Sequence, residues 1–359
     1  MDLSKRRFLR SLFYAGSFPT LQALAEIKLE SIDDAYPATS NNGISSDAKV
    51  RIAAPSNGNY QYDADYGVKR TYVEPNYGQA NSNSQSQYQN SYNRPVIASG
   101  NLNDQISELI RQKRALGHIA RDEHTAWQVV DINSGRHLLD INHHLPLQAA
   151  SMIKPFVCQA YFFQNRRNPG LFPITDDIIN TMRLMIVKSS NTSTNKIIDR
   201  VGGPYAVQSI LRREAGDIFR NTIVVESIPA GGKTYRNRAS CGDYTRFMQA
   251  LWRDKLPQSK LLKSLMSIKN PDRIATRTQF VPQNLTIYDK TGSTSQCCGD
   301  FGIVEFIDKH GYAKPYSFAA VIEKSRSCDN YGSWIKSRGN VIREVSDLVY
   351  LHIEKMHNG

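Results

Sequence analysis

The sequence has fewer acidic than basic residues, and beyond residue 25 it has no apolar run long enough to cross a membrane. Lys and Arg number 45 against 33 Asp and Glu, so the formal net charge is +12 and the pI is near 9.4. This excess fits a protein near anionic wall polymers or lipid headgroups, or a nucleic-acid binder. Because the basic residues are interspersed with acidic ones and form no recognisable nucleic-acid motif, we do not expect a nucleic-acid partner.

Cysteine is scarce, and its number is odd. Cys158 occupies a helical position where a small buried thiol is the simplest interpretation. The other four cysteines allow one or two disulfide bridges whose connectivity the sequence does not determine: Cys241, Cys297, Cys298 and Cys328. The neighbouring His143 and His144 point to opposite sides of an extended segment and cannot easily share a metal, so no metal or cofactor is expected.

Aliphatic residues are nearly absent from residues 57–94, where Asn, Ser, Gln, Gly and Tyr dominate. Such a segment cannot bury enough apolar surface to offset its ordering entropy. We therefore predict a disordered linker over residues 26–99. The seven tyrosines of residues 57–94 leave a second interpretation open, in which the linker attaches the protein to wall glycans or to a partner protein.

The first 25 residues have the three parts of an export signal. Ser4-Lys5-Arg6-Arg7-Phe8-Leu9-Arg10 is a basic head, a short apolar run follows, and Ala23-Leu24-Ala25 is a small-x-small cleavage site. The head resembles a twin-arginine (Tat) signal with Lys5 in place of the first arginine, and an ordinary secretory signal is the alternative. Both predict a periplasmic or cell-envelope protein with no transmembrane segment after signal removal.

The sequence pattern of residues 100–359 predicts one folded domain of the α/β class. Strand patterns occur near both ends of this region, with helical periodicity between them, at residues 125–132, 136–142, 285–290, 301–307 and 316–322. This order predicts an antiparallel five-stranded sheet that is flanked by helices and carries an all-helical inserted lobe.

The strongest candidate for chemistry is Ser151-Met152-Ile153-Lys154 at the start of an apolar helical stretch. One helical turn separates the two polar side chains, so a neutral lysine amine could remove the serine proton. Ser-x-x-Lys also occurs at Ser46, Ser193 and Ser333, so the spacing alone proves little.

Two further motifs follow in the order that a serine–lysine acyl-transfer enzyme needs: Ser189-Ser190-Asn191 and Lys290-Thr291-Gly292-Ser293. Singly, the first could be a helix cap and the second a strand-end turn. Together with Ser151 and Lys154 they resemble the penicillin-recognising serine enzymes, and specifically the class A β-lactamase catalytic domain, from about residue 101 onward.

The resemblance implies a role for each of these residues. Ser151 would form the acyl-enzyme, with Lys154 as its base and the backbone N–H groups of Ser151 and Ser293 as the oxyanion hole. Ser189 would pass a proton to the leaving nitrogen, and Asn191 would donate to the substrate's amide side chain. The remaining residues would bind the substrate carboxylate and shape its site: Lys290, Thr291, Gly292 and Ser293.

Glu226 falls where the deacylating glutamate of the family is expected, although Ala230 replaces the companion asparagine. The alternative is an ordinary solvated glutamate. The stretch between Ser151 and Ser189 is also shorter than in classical class A enzymes, and Ser190 replaces an aspartate. Met182 stands opposite Cys158, so the helix-to-helix disulfide of some relatives is not expected.

Three functions remain open. The first is an exported serine hydrolase of the class A β-lactamase type that opens β-lactam or related amide bonds. The second is a D,D-peptidase-like enzyme that acts on peptidoglycan stem peptides and releases penicillin slowly. The third is a catalytically silent envelope-binding module of the same fold.

Overall fold

The computed structural model describes residues 61–63, 67–69 and 101–358. The predicted signal peptide and most of the predicted linker lie outside the described residues. Within the linker, Gln61–Asp63 (β1) and Gly67–Lys69 (β2) pair as antiparallel strands. Among the described helices, none has both the length and the apolarity that a bilayer span requires.

The centre of the domain is a five-stranded antiparallel sheet in the order β4-β3-β9-β8-β7. Its strands are Glu123–Asp131 (β3), His137–Ile141 (β4), Ile287–Ser293 (β7), Cys297–Val304 (β8) and Tyr316–Lys324 (β9). The predicted fold class is confirmed. Strand boundaries differ from the predicted ones by up to four residues. The difference that matters for the site is that β7 keeps pairing with β8 as far as Ser293 and Cys298, so Lys290-Thr291-Gly292 lies inside the strand rather than at its end.

Helices cover both faces of this sheet. Leu102–Ala115 (α1) and the final helix Tyr331–Asn358 (α8) pack on one face. The other face meets the inserted helical lobe, which contains Lys154–Arg167 (α2), Asp176–Val187 (α3), Asn191–Val201 (α4), Pro204–Ala215 (α5), Cys241–Trp252 (α6) and Ser259–Met266 (α7). A two-stranded ribbon, Leu147–Gln148 (β5) with Arg238–Ala239 (β6), lies just before α2 and α6 in the chain.

Strand alternation divides the apolar residues between two cores. On β9, Phe318, Ala320 and Ile322 face the α1–α8 side, whereas Ala319 and Val321 face the lobe. On the lobe side, Phe156 of α2 packs edge-on against Phe219 and Phe247 with ring centroids 4.8 and 5.0 Å apart. The helix that carries the candidate base is thereby fixed in the middle of the core.

The cysteines form no bridges. All five thiols are free, and Cys158 is buried in α2 as its position predicted. Burial raises the pKa of the Cys158, Cys241 and Cys297 thiols, so these groups are protonated apolar side chains. The disulfides that the sequence left open are therefore absent from the folded domain.

One buried ion pair ties α8 to the sheet. The Glu123 carboxylate accepts hydrogen bonds from Trp334 Nε1 at 2.6 Å, from Arg338 Nη2 at 2.9 Å and from the Ala120 backbone N–H at 2.8 Å. Glu123 is 2% exposed and Arg338 is 9% exposed. Loss of one member leaves the other charge without its partner in the core.

We therefore expect Glu123→Ala to lower the free energy of unfolding by about 3–5 kcal/mol. Urea denaturation followed by fluorescence measures the change. Glu108→Ala is the matched control, because the bonds of Glu108 to Arg111 and Gln112 lie on the exposed surface of α1, and it should leave stability almost unchanged. Similar losses in the two variants would contradict this account of the pair.

Candidate active site

The candidate nucleophile lies in a tight turn rather than in the helix that follows it. Ala150–Ile153 form a 3-10 turn, and Ala150 has a left-handed φ of 45°. The turn packs against β7 at Gly292, where an added Cβ would lie 2.8 Å from Met152 Cγ and 3.0 Å from the Ala149 carbonyl oxygen. A glycine is needed at this position because only its backbone allows the serine turn to approach so closely.

Lys154 joins three of the predicted residues. Its Nζ lies 2.8 Å from Ser151 Oγ, 2.9 Å from Asn191 Oδ1, 3.0 Å from the Ser189 carbonyl oxygen and 3.3 Å from Ser189 Oγ. An ammonium group has three protons, so these four acceptors are more than it can fully satisfy. The geometry therefore brings Ser151, Lys154, Ser189 and Asn191 into one cluster.

The surroundings of Lys154 favour its neutral form. The side chain is 0% exposed, and burial lowers its pKa well below the ordinary value. The positive charge of Lys290 lowers the pKa further. A neutral amine 2.8 Å from a serine hydroxyl can accept its proton, which is what nucleophilic attack requires.

The junction of α3 and α4 presents Ser189 and Asn191. Ser190 caps α4, because its side chain accepts a hydrogen bond from the Ser193 backbone N–H at 3.1 Å. Ser189 takes a left-handed φ of 55°, which is unusual for a residue with a side chain. Serine in place of the family's aspartate therefore serves as an ordinary helix cap, while its two neighbours face the candidate base.

The third motif supplies positive charge from β7. Lys290 is 2% exposed and donates to the Thr291 carbonyl oxygen at 3.1 Å. Burial lowers its pKa to about 8, although Asp289 and Asp300 favour its charged form. Lys290 is therefore mostly charged at neutral pH. Thr291 and Ser293, two residues apart on the strand, share one face of β7.

No sequence pattern identifies Arg273, which lies in the irregular segment between α7 and β7. Its Nη2 donates to Ser293 Oγ at 2.7 Å and its Nη1 to the Gly299 carbonyl oxygen at 2.9 Å. Because the guanidinium donates to Ser293 Oγ, the serine's own proton is free for an acceptor in the cleft. Arg273 thus orients the Ser293 hydroxyl through a direct hydrogen bond.

Glu226 is not joined to this cluster. Its carboxylate accepts from Thr234 Oγ1 at 2.7 Å, from the backbone N–H groups of Tyr235 and Arg236 at 2.8 and 2.9 Å, and from Arg236 Nε at 2.7 Å. Burial would raise the pKa of Glu226, but the hydrogen bonds from Arg236, Thr234 and Tyr235 outweigh it and hold the pKa below its usual value. Among the described residues, no hydrogen bond links the Glu226 carboxylate to Ser151 or Lys154.

The loop that carries Glu226 is held in place two residues further on. Asn195 of α4 donates from Nδ2 to the Ile228 carbonyl oxygen and accepts from the Ile228 backbone N–H at Oδ1, both at 2.8 Å. Ile228 is 3% exposed. Glu226 therefore has a bonding pattern that stabilises its own loop, and its assignment as a deacylating base stays a prediction.

Comparison with known proteins identifies similar folds. Residues 175–353 match the model of a family described as the beta-lactamase enzyme family. One similar solved structure is an acyl-enzyme complex of a PBP-A mutant with penicillin G, at 23% identity and a TM-score of 0.55, covering 71% of this chain and 96% of that one. A β-lactamase from Desulfarculus baarsii is similar at 18% identity and a TM-score of 0.57, covering 71% of this chain and 98% of its own. An ancestral class A β-lactamase is similar at 18% identity and a TM-score of 0.55, covering 70% of this chain and 99% of its own. The comparison with curated proteins finds no match. These likenesses confirm the predicted fold, and the family match confirms the predicted resemblance to β-lactamases over residues 175–353.

The two lysines predict a pH profile for acylation by a β-lactam that carries a carboxylate. The rate should rise with pH as Lys154 loses its proton, and it should fall above about pH 8 as Lys290 loses the charge that binds the carboxylate. Stopped-flow acylation rates measure both limbs. The methyl ester of the same β-lactam is the control and should lack the alkaline limb, so an unchanged alkaline limb with the ester would rule out this role for Lys290.

Proposed function

We propose that this chain is an exported serine hydrolase that opens β-lactams or related amides through an acyl-serine intermediate. The observation that carries the proposal is the 2.8 Å contact between Lys154 Nζ and Ser151 Oγ inside a buried cluster. Burial and the nearby Lys290 keep the amine in the form that can accept a proton. These groups supply what an active-site serine needs.

Acylation follows from the placement of the side chains. Ser151 Oγ attacks the carbonyl carbon while its proton moves to Lys154 Nζ, and collapse of the tetrahedral intermediate breaks the C–N bond. Ser189 Oγ, 3.3 Å from Lys154 Nζ, relays that proton to the leaving nitrogen. Because Asn191 Oδ1 accepts from Lys154, its Nδ2 is the end that remains to bind the acyl side of the substrate. Lys290 and Ser293 bind the carboxylate on the leaving side.

A second candidate is a D,D-peptidase-like enzyme that acts on peptidoglycan stem peptides. The observation that favours it is the bonding of Glu226, since a carboxylate paired with Arg236 and three other donors is a weak base. Without an activated water, an acyl-enzyme formed from penicillin persists. With a peptide substrate, the acyl group would pass to an incoming amine, or more slowly to water.

Export is part of the proposal. The basic head, short apolar run and Ala23-Leu24-Ala25 support secretion to the periplasm or envelope. The Tyr-rich linker then provides a tether or a contact with the cell wall. Fractionation of cells that express the full chain tests the location, and Arg6→Lys in the same chain tests whether the twin-arginine route is used, because Lys5 already replaces the other arginine of the pair.

Intact-protein mass spectrometry after exposure to penicillin tests the acyl-serine directly. We expect a mass increase equal to one whole penicillin, because ring opening releases no fragment. Ser151→Ala should abolish the adduct, and Lys154→Met should slow its formation by about 10²- to 10⁴-fold, the usual contribution of a general base. An adduct that persists in Ser151→Ala, or no adduct in the unmodified chain, would refute the proposal.

The lifetime of the same adduct distinguishes the two candidates. If Glu226 only stabilises its loop, Glu226→Gln should change the decay of the adduct by no more than about twofold, whereas loss of a true general base costs about 10²-fold or more. Arg236→Met is the matched control, because it removes the other half of the ion pair and keeps the carboxylate. Trapping of the adduct by Glu226→Gln alone would favour the β-lactamase, and equal lifetimes would favour the peptidase.

A further inference from the structure

A cavity of about 530 Å³ lies beside the candidate active site. Its walls come from the β5–β6 ribbon, the end of β9 and the turn between β7 and β8. Six of its lining residues carry polar groups that matter here: Gln148, Tyr235, Arg238, Gln296, Glu323 and Lys324. The volume falls within the range of small-ligand sites, about 300–1,000 Å³.

The cavity shares its walls with the segments that hold the cluster. Gln148 precedes Ser151 by three residues, and its Oε1 accepts a hydrogen bond from Thr294 Oγ1 at 3.2 Å. Thr294 directly follows Ser293. On the other side, Tyr235 Oη and Ser295 Oγ are 3.1 Å apart, which joins the Glu226 loop to the β7–β8 turn. The lining residues Gln148 and Gln296 therefore lie in the same segments as Ser151 and Ser293, three residues away from each along the chain.

The acceptors in this cavity are already occupied. Glu323 Oε1 accepts a hydrogen bond from Arg238 Nη2 at 2.9 Å, and Glu323 Oε2 accepts one from the Gln148 backbone N–H at 3.0 Å. Gln148 Nε2 also donates to Glu323 Oε1 at 3.2 Å and to Gln296 Oε1 at 2.8 Å. A cationic ligand would have to displace these bonds, which is costly for groups that are nearly buried.

The polar side chains of the lining that lack a described side-chain partner are hydrogen-bond donors. Among the described contacts, neither the Lys324 ammonium nor the Gln296 amide nitrogen has a side-chain partner, whereas Arg238 is paired with Glu323. Arg238 and Lys324 against Glu323 leave the lining with one net positive charge. Such a lining suits a ligand rich in carbonyl oxygens that ends in a carboxylate.

We propose that this cavity is a second subsite of the cleft and binds the anionic, carbonyl-rich extension of a peptide acyl donor. The proposal rests on the proposed function, because it places the acyl half of an amide substrate in the cavity while Ser151 attacks its carbonyl. Lys324 binds the carboxylate of the extension, and the Gln296 amide donates to a carbonyl oxygen. β-Lactams with short side chains react at Ser151 without using this subsite.

The test uses the full chain and two N-acyl-D-alanyl thioesters of equal length, one glutaryl and one pentanoyl. We expect Ser151 to be acylated about tenfold faster per unit concentration by the glutaryl donor, as a charge-assisted hydrogen bond would give. Lys324→Met should remove this preference and leave acylation by penicillin unchanged. Arg326→Met is the matched control, because Arg326 carries the same charge two residues on, does not line the cavity, and should keep the preference.

Each outcome decides the proposal. Equal rates for the two donors in the unmodified chain, or a preference that survives in Lys324→Met, overturns it. If neither thioester nor penicillin acylates Ser151, the proposed function fails, and titration calorimetry with glutaryl-D-alanyl-D-alanine tests the cavity by itself. Binding that is lost in Lys324→Met but kept in Arg326→Met supports the subsite, and equal or absent binding refutes it.

Discussion

The rest of the domain depends on one buried amine. Lys154 is enclosed by protein and lies within hydrogen-bond distance of four oxygen atoms from two distant parts of the chain. A charged ammonium group in such a place is costly, and the nearby Lys290 makes it more so. The cost of burial therefore appears as a lowered pKa of Lys154, which is the property that the proposed mechanism needs to activate Ser151.

The fold maintains that environment through three sets of contacts. Phe156 packs α2 into the aromatic core. Gly292 lets β7 approach the serine turn, and the charge of Lys290 on the same strand acts on the amine. The Ser190 cap begins α4, and both Ser189 and Asn191 lie within hydrogen-bond distance of Lys154. A larger side chain at position 292 would separate these parts by a few tenths of an ångström or more.

The sequence predicted those parts of the candidate site whose functional residues lie close together along the chain. Ser151 with Lys154, the Ser189 segment and the strand with Lys290 are each local, so spacing and resemblance identified them. Arg273 could not be found in this way, because its partner Ser293 is 20 residues away across an irregular segment. Glu226 shows the opposite case. Counting along the chain located its loop, but its carboxylate turns to Arg236, ten residues on, and only the folded loop reveals that pairing.

The Glu226 pairing also bears on how the acyl-enzyme ends. When the leaving nitrogen has taken its proton through Ser189, Lys154 is neutral again and still lies beside the ester oxygen. The same amine can then remove a proton from whatever enters the vacated space, whether water or a peptide amine. A free carboxylate would favour water by holding it in place. Under the peptidase proposal, Glu226 stays bound to its own loop and gives water no such advantage, so the fate of the acyl group depends on which nucleophile fits the cleft.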